Sequence, residues 1–543
     1  MSAKLKAMLL DQAVNQALTK EYPIKSIKST HVSYQHAQNV YIVKMNSRPE
    51  SLNILKSDVN SEEALTFRID RNLVIKNVLD SIKQNEYDIT SNPKKVVIDF
   101  SSPNIAKPFH MGHMRSTVIG NFIANINTHF RNQVTKINYL GDWGTQFGLL
   151  QYGLKLKNID VNTLKNNPLQ TLYNIYVEAN KLAEKDKNIQ IDAVKYFAEI
   201  ESGKMDLQNW KQIKEITVKE LEKLYLRLRI KFDLFEWESD YNSQAIRHII
   251  KELEDANIVT THESGKKIAY VNNRKVTLVK SDDSSLYLTR DIAALLNRYE
   301  THKFDKMLYV VDNAQADHFV SLFDIMKRLN KKCATACEHV KFGRIRGMST
   351  RRGNVVFLND ILDEAKTKMY DQQLQSKNTR TSAMNDETCD ILGSTAVIIN
   401  DLKQRRQKDY EFSWDKALQS EGDSGVKLQY LHCRLKSLEN NSEVPVPDFC
   451  NPECLPEEII GDVIAELARF DDILKKAYEE NEACILVNYL FRLSRYVNKM
   501  FNKIIVKGES NDVASQRLLV FYCARQVLKT SLNILGIKPL YEM

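Results

Sequence analysis

Residues 96–130, VVIDFSSPNIAKPFHMGHMRSTVIGNFIANINTHF, decide how this chain is read. The stretch opens with a short apolar run, Val96 to Phe100. A polar turn follows, and from Gly112 on the apolar residues recur at helical spacing. Val118, Phe122 and Ile126 fall four apart, with Ile119, Ile123 and Phe130 beside them. Strand, turn and helix in that order make the first unit of a nucleotide-binding parallel sheet. No G-x-G-x-x-G is present, which argues against a dinucleotide site. The turn carries His110 and His113 instead, spaced H-M-G-H. Gly112 lets a phosphate or ribose approach the backbone. Free N–H groups at a helix start favour anions, and imidazole N–H groups can donate to triphosphate oxygens as charge builds on them. The same spacing also suits a satisfied surface or core pair. Zinc is a third option, but no cysteine lies nearby to complete a ligand set.

A second motif weighs on that choice. Far downstream, Gly343–Asn354 reads GRIRGMSTRRGN, a strand-like lead (Lys341–Ile345) running into small residues and arginines. Class I aminoacyl-tRNA synthetases have this pair, a HIGH-like motif early and a KMSKS-like loop late, here Gly347-Met-Ser-Thr-Arg351. The flanks are narrower in kind. SSPNIAKPFHMGHMRST (101–117), NYLGDWGTQFG (138–148), SLYLTRDIAA (285–294), YVVDNAQADHF (309–319), MSTRRGN (348–354), FSWDKALQSEGDSGVKLQYLHCRL (412–435) and the terminal PLYEM resemble arginyl-tRNA synthetases. The similarity runs from roughly residue 65 to the end, and looks most like the mitochondrial branch.

The resemblance implies an α/β fold. It predicts a Rossmann-like parallel-sheet catalytic domain with an insertion, a small N-terminal α/β domain, and an all-α C-terminal anticodon-binding bundle. The expected spans are 1–95 for the N-terminal domain, which would contact the tRNA elbow, 96–160 for the first catalytic half and 161–280 for the insertion. Residues 281–360 would be the second half with its loop, 361–411 linking helices and 412–543 the bundle. Periodicity agrees in places. Val40–Val43 and Ala64–Ile69 read as strands and Leu73–Lys83 as a helix. Helical patterns cover Thr171–Asp186, Asp192–Ser202 and Met205–Leu228. Val134, Ile137 and Tyr139 predict a second strand, and Met307–Val311 a buried one ending at Asp312.

The resemblance also assigns roles. ATP, with Mg²⁺ on its triphosphate, would sit on His110, Gly112 and His113 and on Met348 and Ser349 of the late loop. L-arginine would meet Asp99, Ser102, Pro103, Asn104, His113, Tyr287, Asp291 and Gln315. Asp291 would take the guanidinium, which wants a planar carboxylate partner, with Tyr287 beside it. Asn104 would bind the ammonium or carboxylate end. At the two KMSKS lysine positions this chain has Gly347 and Thr350. The missing charge on pyrophosphate would then come from Arg351 or Arg352 with Lys107. Among other class I enzymes the cysteine one is nearest in layout, but it selects its substrate with zinc and cysteine near the His motif, absent here.

Composition sets outer limits. A chain of 543 residues should hold three or four domains, and 43% apolar content is ample for their cores. No run of about eighteen apolar residues occurs, so no membrane span is expected. A net charge of +8 suits a polyanion such as tRNA-Arg, though many basic proteins bind none. The eight cysteines begin at Cys333 and complete no zinc pattern with histidine. Reduced structural thiols are expected, with no structural metal. Met1–Ala17 reads either as a targeting segment or as an ordinary first helix; it holds lysines but no arginine. The expected compartment is the mitochondrial matrix, with the cytoplasm as rival, and the expected state a monomer. Two other functions compete: a small nucleotidyltransferase, against which the chain length counts, and an inactive tRNA-binding relative, against which His110, His113, Asn104, Tyr287, Asp291 and Gln315 count. Gln429 and Tyr430 are candidates for base or phosphate contact, and plain core is their alternative.

Overall fold

A computed structural model describes residues 24–35, 40–49, 64–87, 92–105, 109, 111–164, 167–201, 208–241, 243–281, 284–346, 357–375, 385–419 and 422–543. The Met1–Ala17 reading, Lys107, His110 and the loop residues Met348, Ser349, Arg351 and Arg352 lie outside these. The chain divides into two compact units. One holds 92–361 with 406–412, the other 1–91, 362–405 and 413–543.

The second of these units begins with an antiparallel sheet of β1 (Ile24–Gln35), β2 (Val40–Pro49) and β3 (Ala64–Asp70). Asp70 then caps α1 (Arg71–Lys83), its carboxylate accepting from the Leu73 N–H.

The unit of residues 92–361 with 406–412 is built on five parallel strands. These are β4 (Lys95–Asp99), β5 (Gln133–Leu140), β6 (Leu234–Trp237), β10 (Lys306–Asp312) and β11 (Cys337–Phe342), ordered β11-β10-β4-β5-β6. The order reverses between β4 and β10, and ligands of such sheets sit at that switch point, off the carboxyl ends of the strands. Helix α2 (Met111–His129) packs against β4 and β10. Val118, Phe122 and Ile126 are all buried, as their spacing requires. Gly120 permits the close approach, since a Cβ there would stand 2.2 Å from the Phe100 ring. The helices α3 (Thr145–Leu156), α4 (Pro168–Lys185), α5 (Lys187–Glu201) and α6 (Gln208–Arg227) surround a local core of Phe147, Leu150, Leu172, Ile175 and Ile213.

Strand β6 departs from expectation. It falls inside 161–280, the span assigned to the insertion, yet it is an edge strand of the main sheet. Four residues, LFEW, are too short for periodicity to reveal. Beyond it come α7 (Ser243–Asp255) and a small antiparallel sheet of β7 (Val259–Thr261), β8 (Lys267–Val271) and β9 (Arg274–Val279). Helices α8 (Tyr287–His302) and α9 (Ala316–Arg328) cover one face of the main sheet, where Ile292, Leu295, Leu322 and Ile325 meet Val97, Ile137 and Met307. Finally β12 (Ile345–Arg346) pairs in parallel with β13 (Tyr410–Glu411).

The other unit continues through α10 (Leu358–Gln375), α11 (Asp386–Leu402), α12 (Trp414–Leu418), α13 (Gly425–Asn441), α14 (Glu458–Ala468), α15 (Phe470–Glu479), α16 (Ala483–Phe501) and α17 (Asn511–Ile534). The N-terminal segment packs on these helices: Arg71 donates to the Glu457 carbonyl and the Cys450 N–H to Asp80. Gln429 is fully buried and holds the chain end, donating to the Lys538 carbonyl at 2.8 Å and accepting from Leu540 N–H at 2.9 Å. It therefore faces no RNA base, whereas Tyr430 is exposed. Among the described residues no helix is long and apolar enough to cross a membrane.

Candidate active site

The site starts where β4 ends. Ser101 and Ser102 take left-handed backbone angles, φ 73° and 45°, and the turn they make is locked on every side. The Ser101 N–H donates to Ser116 Oγ at 2.9 Å, and Ser116 donates to the Val310 carbonyl on β10 at 2.7 Å. The Ser102 N–H reaches Asn138, and its hydroxyl donates to Asp99 at 2.7 Å. Pro103 offers its carbonyl to the Gly141 N–H. The polar groups of Ser102 and Pro103 are thus spent inside the turn, and Asn104 is the member that stays exposed. Gly141 makes room for it: a Cβ there would lie 2.1 Å from Asn104 Oδ1.

Asp99 is not open to a ligand either. Its carboxylate pairs with Arg298 at 2.8 Å, and Arg298 also pairs with Glu236 of β6 at 2.8 Å. Asp99 and Arg298 are buried and Glu236 is partly buried, and the Arg298 guanidinium lies over the Tyr139 ring. Although burial opposes its charge, Asp99 and Glu236 hold the Arg298 pKa well above its usual value. This trio anchors the floor of the site.

On the nucleotide side, His113 is half-buried at the start of α2, its ring 5.2 Å from that of Phe109. Two residues on, Arg115 is buried. It donates to the carbonyls of Gly343 at 2.7 Å and Lys408 at 2.8 Å and lies over Tyr410. Gly343 opens the late loop, and β12, with Arg346 paired to Asp409 at 2.7 Å, carries it forward. One helix therefore both presents the histidine and holds the root of the loop.

The other side is acidic. Asn104, Gly141, Asp142, Trp143, Gln146 and Tyr287 line one cavity. Asp142 is buried, pairs with Lys214 of α6 at 2.8 Å, and accepts from the Ser239 N–H and hydroxyl. Lys214 is further held over the rings of Trp210 and Trp237. Glu238, just past β6, is pushed up to about 8, first by burial and then by repulsion from Asp291 and Asp142. Asp291 lies one helical turn beyond Tyr287 and is held by His318 Nε2 at 2.6 Å. Arg290 is occupied with the carbonyls of Glu238 and Tyr241 and stacks on Trp143. Gln315 is exposed at the end of β10. Asn104 and Tyr287 share the cavity, while Asp291 bears on Glu238 and pairs with His318 and Asp99 is taken up by Arg298.

Sequence reading missed Glu238, Asp142, Arg115, Arg298 and His318; it named Lys214 with Lys211, Lys219 and Lys223 as a phosphate contact or a solvated helix charge, and Lys214 is instead paired with buried Asp142. Asp142 and His318 stood in quoted motifs, GDWG and DNAQADHF, and those motifs were the available signal. Glu238 had none, because β6 was unrecognised. Among the described residues no group of three or more His, Cys, Asp or Glu could hold a metal ion.

A doubly wound parallel sheet, a histidine in the first turn of its first helix, and a late segment whose root at Gly343 that helix holds fit the catalytic architecture of a class I aminoacyl-tRNA synthetase. The profile for "tRNA synthetases class I (R), catalytic domain" matches residues 74–414, and that for "DALR anticodon binding domain" matches 428–543. The chain is 38% identical over 493 residues to a Bos taurus protein named "Probable arginine--tRNA ligase, mitochondrial", covering 88% of this chain and 85% of the relative. It is 37% identical over 468 residues to the Saccharomyces cerevisiae "Arginine--tRNA ligase, cytoplasmic", covering 83% and 77%. Among solved structures, the fold resembles Thermus thermophilus arginyl-tRNA synthetase, with a TM-score of 0.80 at 17% identity over 99% of this chain and 100% of that one. The chain belongs to the arginyl-tRNA synthetases.

Proposed function

We propose that this site activates L-arginine with ATP and passes the arginyl group to tRNA-Arg. The observation that carries the reading is the cluster of Asp142, Glu238 and Asp291, whose charges bear on one another, with Asp142 lining the cavity that Asn104 and Tyr287 share. Lys214 compensates Asp142, which leaves Glu238 and Asp291 for a substrate with two cationic groups, an ammonium and a guanidinium. Asp291 takes the guanidinium and Tyr287 packs beside it. Asn104 and Gln315 meet the rest of the amino acid. Asp99 acts from below, by fixing Ser102 and Arg298.

The chemistry is positioning and charge stabilisation. The arginine carboxylate attacks the α-phosphorus of ATP and pyrophosphate leaves. ATP arrives with Mg²⁺ neutralising part of its triphosphate. His110, Gly112 and His113 hold phosphate and ribose, with Met348 and Ser349 of the loop, and Lys107, Arg351 and Arg352 supply charge to the leaving group. The 2′-OH of the terminal adenosine of tRNA then attacks the activated carbonyl and AMP leaves. Charging of tRNA with labelled arginine tests the reading: Asp291→Ala should abolish most of it, and undiminished charging would refute it. ATP–pyrophosphate exchange unaffected by Lys107→Ala and Arg351→Ala would refute the charge-supply step.

The mitochondrial relatives support action in the matrix, and the similarity to a cytoplasmic one supports the rival. Localisation of a tagged full chain decides between them. The chain acts as a monomer in this reading, which a stable dimer in sedimentation would refute.

A further inference from the structure

We propose that His318 is a positioning residue for amino-acid recognition: its imidazole fixes the plane of the Asp291 carboxylate, so that the pocket favours a planar guanidinium over other cations. The inference rests on the site reading given above, in which Asp291 receives the substrate side chain.

The contact is direct. His318 Nε2 lies 2.6 Å from Asp291 Oδ2, with both side chains about three-quarters buried. An ionised carboxylate only accepts, so Nε2 carries the proton and donates it. His318 is the third residue of α9. Its hydrogen bond leaves the charge on Asp291 intact and ties one oxygen, so the carboxylate cannot swing about its own axis. A guanidinium fork needs that fixed plane for a two-pronged grip, whereas an ammonium is a point charge indifferent to it.

The groups that bear on this pair come from every element around it. Tyr139 of β5, Glu238 beyond β6 and Tyr309 of β10 interact electrostatically with Asp291, and His339 of β11 does so with His318. On α9 itself, Asp317 pairs outward with Arg274 at 2.5 Å.

The test compares His318→Ala, His318→Gln and Asp291→Ala in ATP–pyrophosphate exchange with the full chain and tRNA. A hydrogen bond to a charged group should be worth about a tenfold change. His318→Ala should raise the arginine KM about tenfold and leave the ATP KM within twofold. It should also narrow the discrimination against lysine. His318→Gln, which keeps a donor, should restore the KM to within about threefold. An unchanged arginine KM in His318→Ala, with Asp291→Ala impaired, overturns the inference and leaves the site reading standing. Equal rises in both KM values without rescue by glutamine reduce His318 to a fold residue, and the inference fails. An unchanged arginine KM in Asp291→Ala overturns the site reading itself.

Discussion

The two walls of the active site are made in opposite ways. The nucleotide wall is local: one strand, one turn and one helix within residues 96–130 carry Gly112 and His113 in sequence. The amino-acid wall is assembled from Asp142 after β5, Glu238 after β6, Tyr287 and Asp291 on α8, and His318 on α9. A local wall depends on backbone geometry, and its donors act on charge that develops during reaction. A dispersed wall depends on the charge balance of groups brought together by the sheet. Mutations on the first should therefore appear in kcat, and those on the second in the arginine KM.

That contrast can be broken or sharpened in several ways, and the strongest concerns the floor both walls share. Arg298→Met leaves Asp99 and Glu236 buried without their partner. Loss of one member of a buried ion pair costs about 3–5 kcal/mol, so the melting temperature should drop by several degrees and both KM values should rise together. Next, His113→Ala should lower kcat for adenylate formation by about 100-fold, as loss of an aimed donor does, with the arginine KM within twofold. An effect on the arginine KM alone would erase the distinction. Asp291→Ala should show the reverse, a rise of about 30- to 100-fold in the arginine KM from a lost charged hydrogen-bond pair, with the ATP KM steady.

The smallest effect is the pH response of Glu238. Its acid form persists up to about 8, and only the ionised form attracts a cation. Arginine KM should fall as pH rises toward 8 and level off above it, by up to about tenfold per pH unit on the slope. Glu238→Gln should flatten that limb while raising KM above pH 8. A limb that persists in the variant assigns it to another group.

The same contrast explains what the sequence disclosed. The β4–α2 unit was legible because its signals are contiguous: a strand, a turn residue and apolar spacing of four. Strands β5 and β10 were legible for the same reason. Strand β6 was not, since LFEW is short and carries Glu236, whose charge is neutralised by Arg298 from a helix distant in the chain. Glu238 went unseen with it. Asp99 was given to the substrate by resemblance alone, and only the fold supplies Arg298 to pair with it. Gln429 looked available on a helix, and its burial follows from the chain terminus folding back onto it. Patterns of spacing report which face is buried; they do not report which distant partner fills it.

The most direct measurement is ATP–pyrophosphate exchange with each of the twenty amino acids, with and without total tRNA. The account predicts exchange with arginine alone, strengthened or enabled by tRNA. Exchange with no amino acid, while tRNA still binds, would contradict it and mark the chain as an inactive relative, with Gly347 and Thr350 the first positions to question.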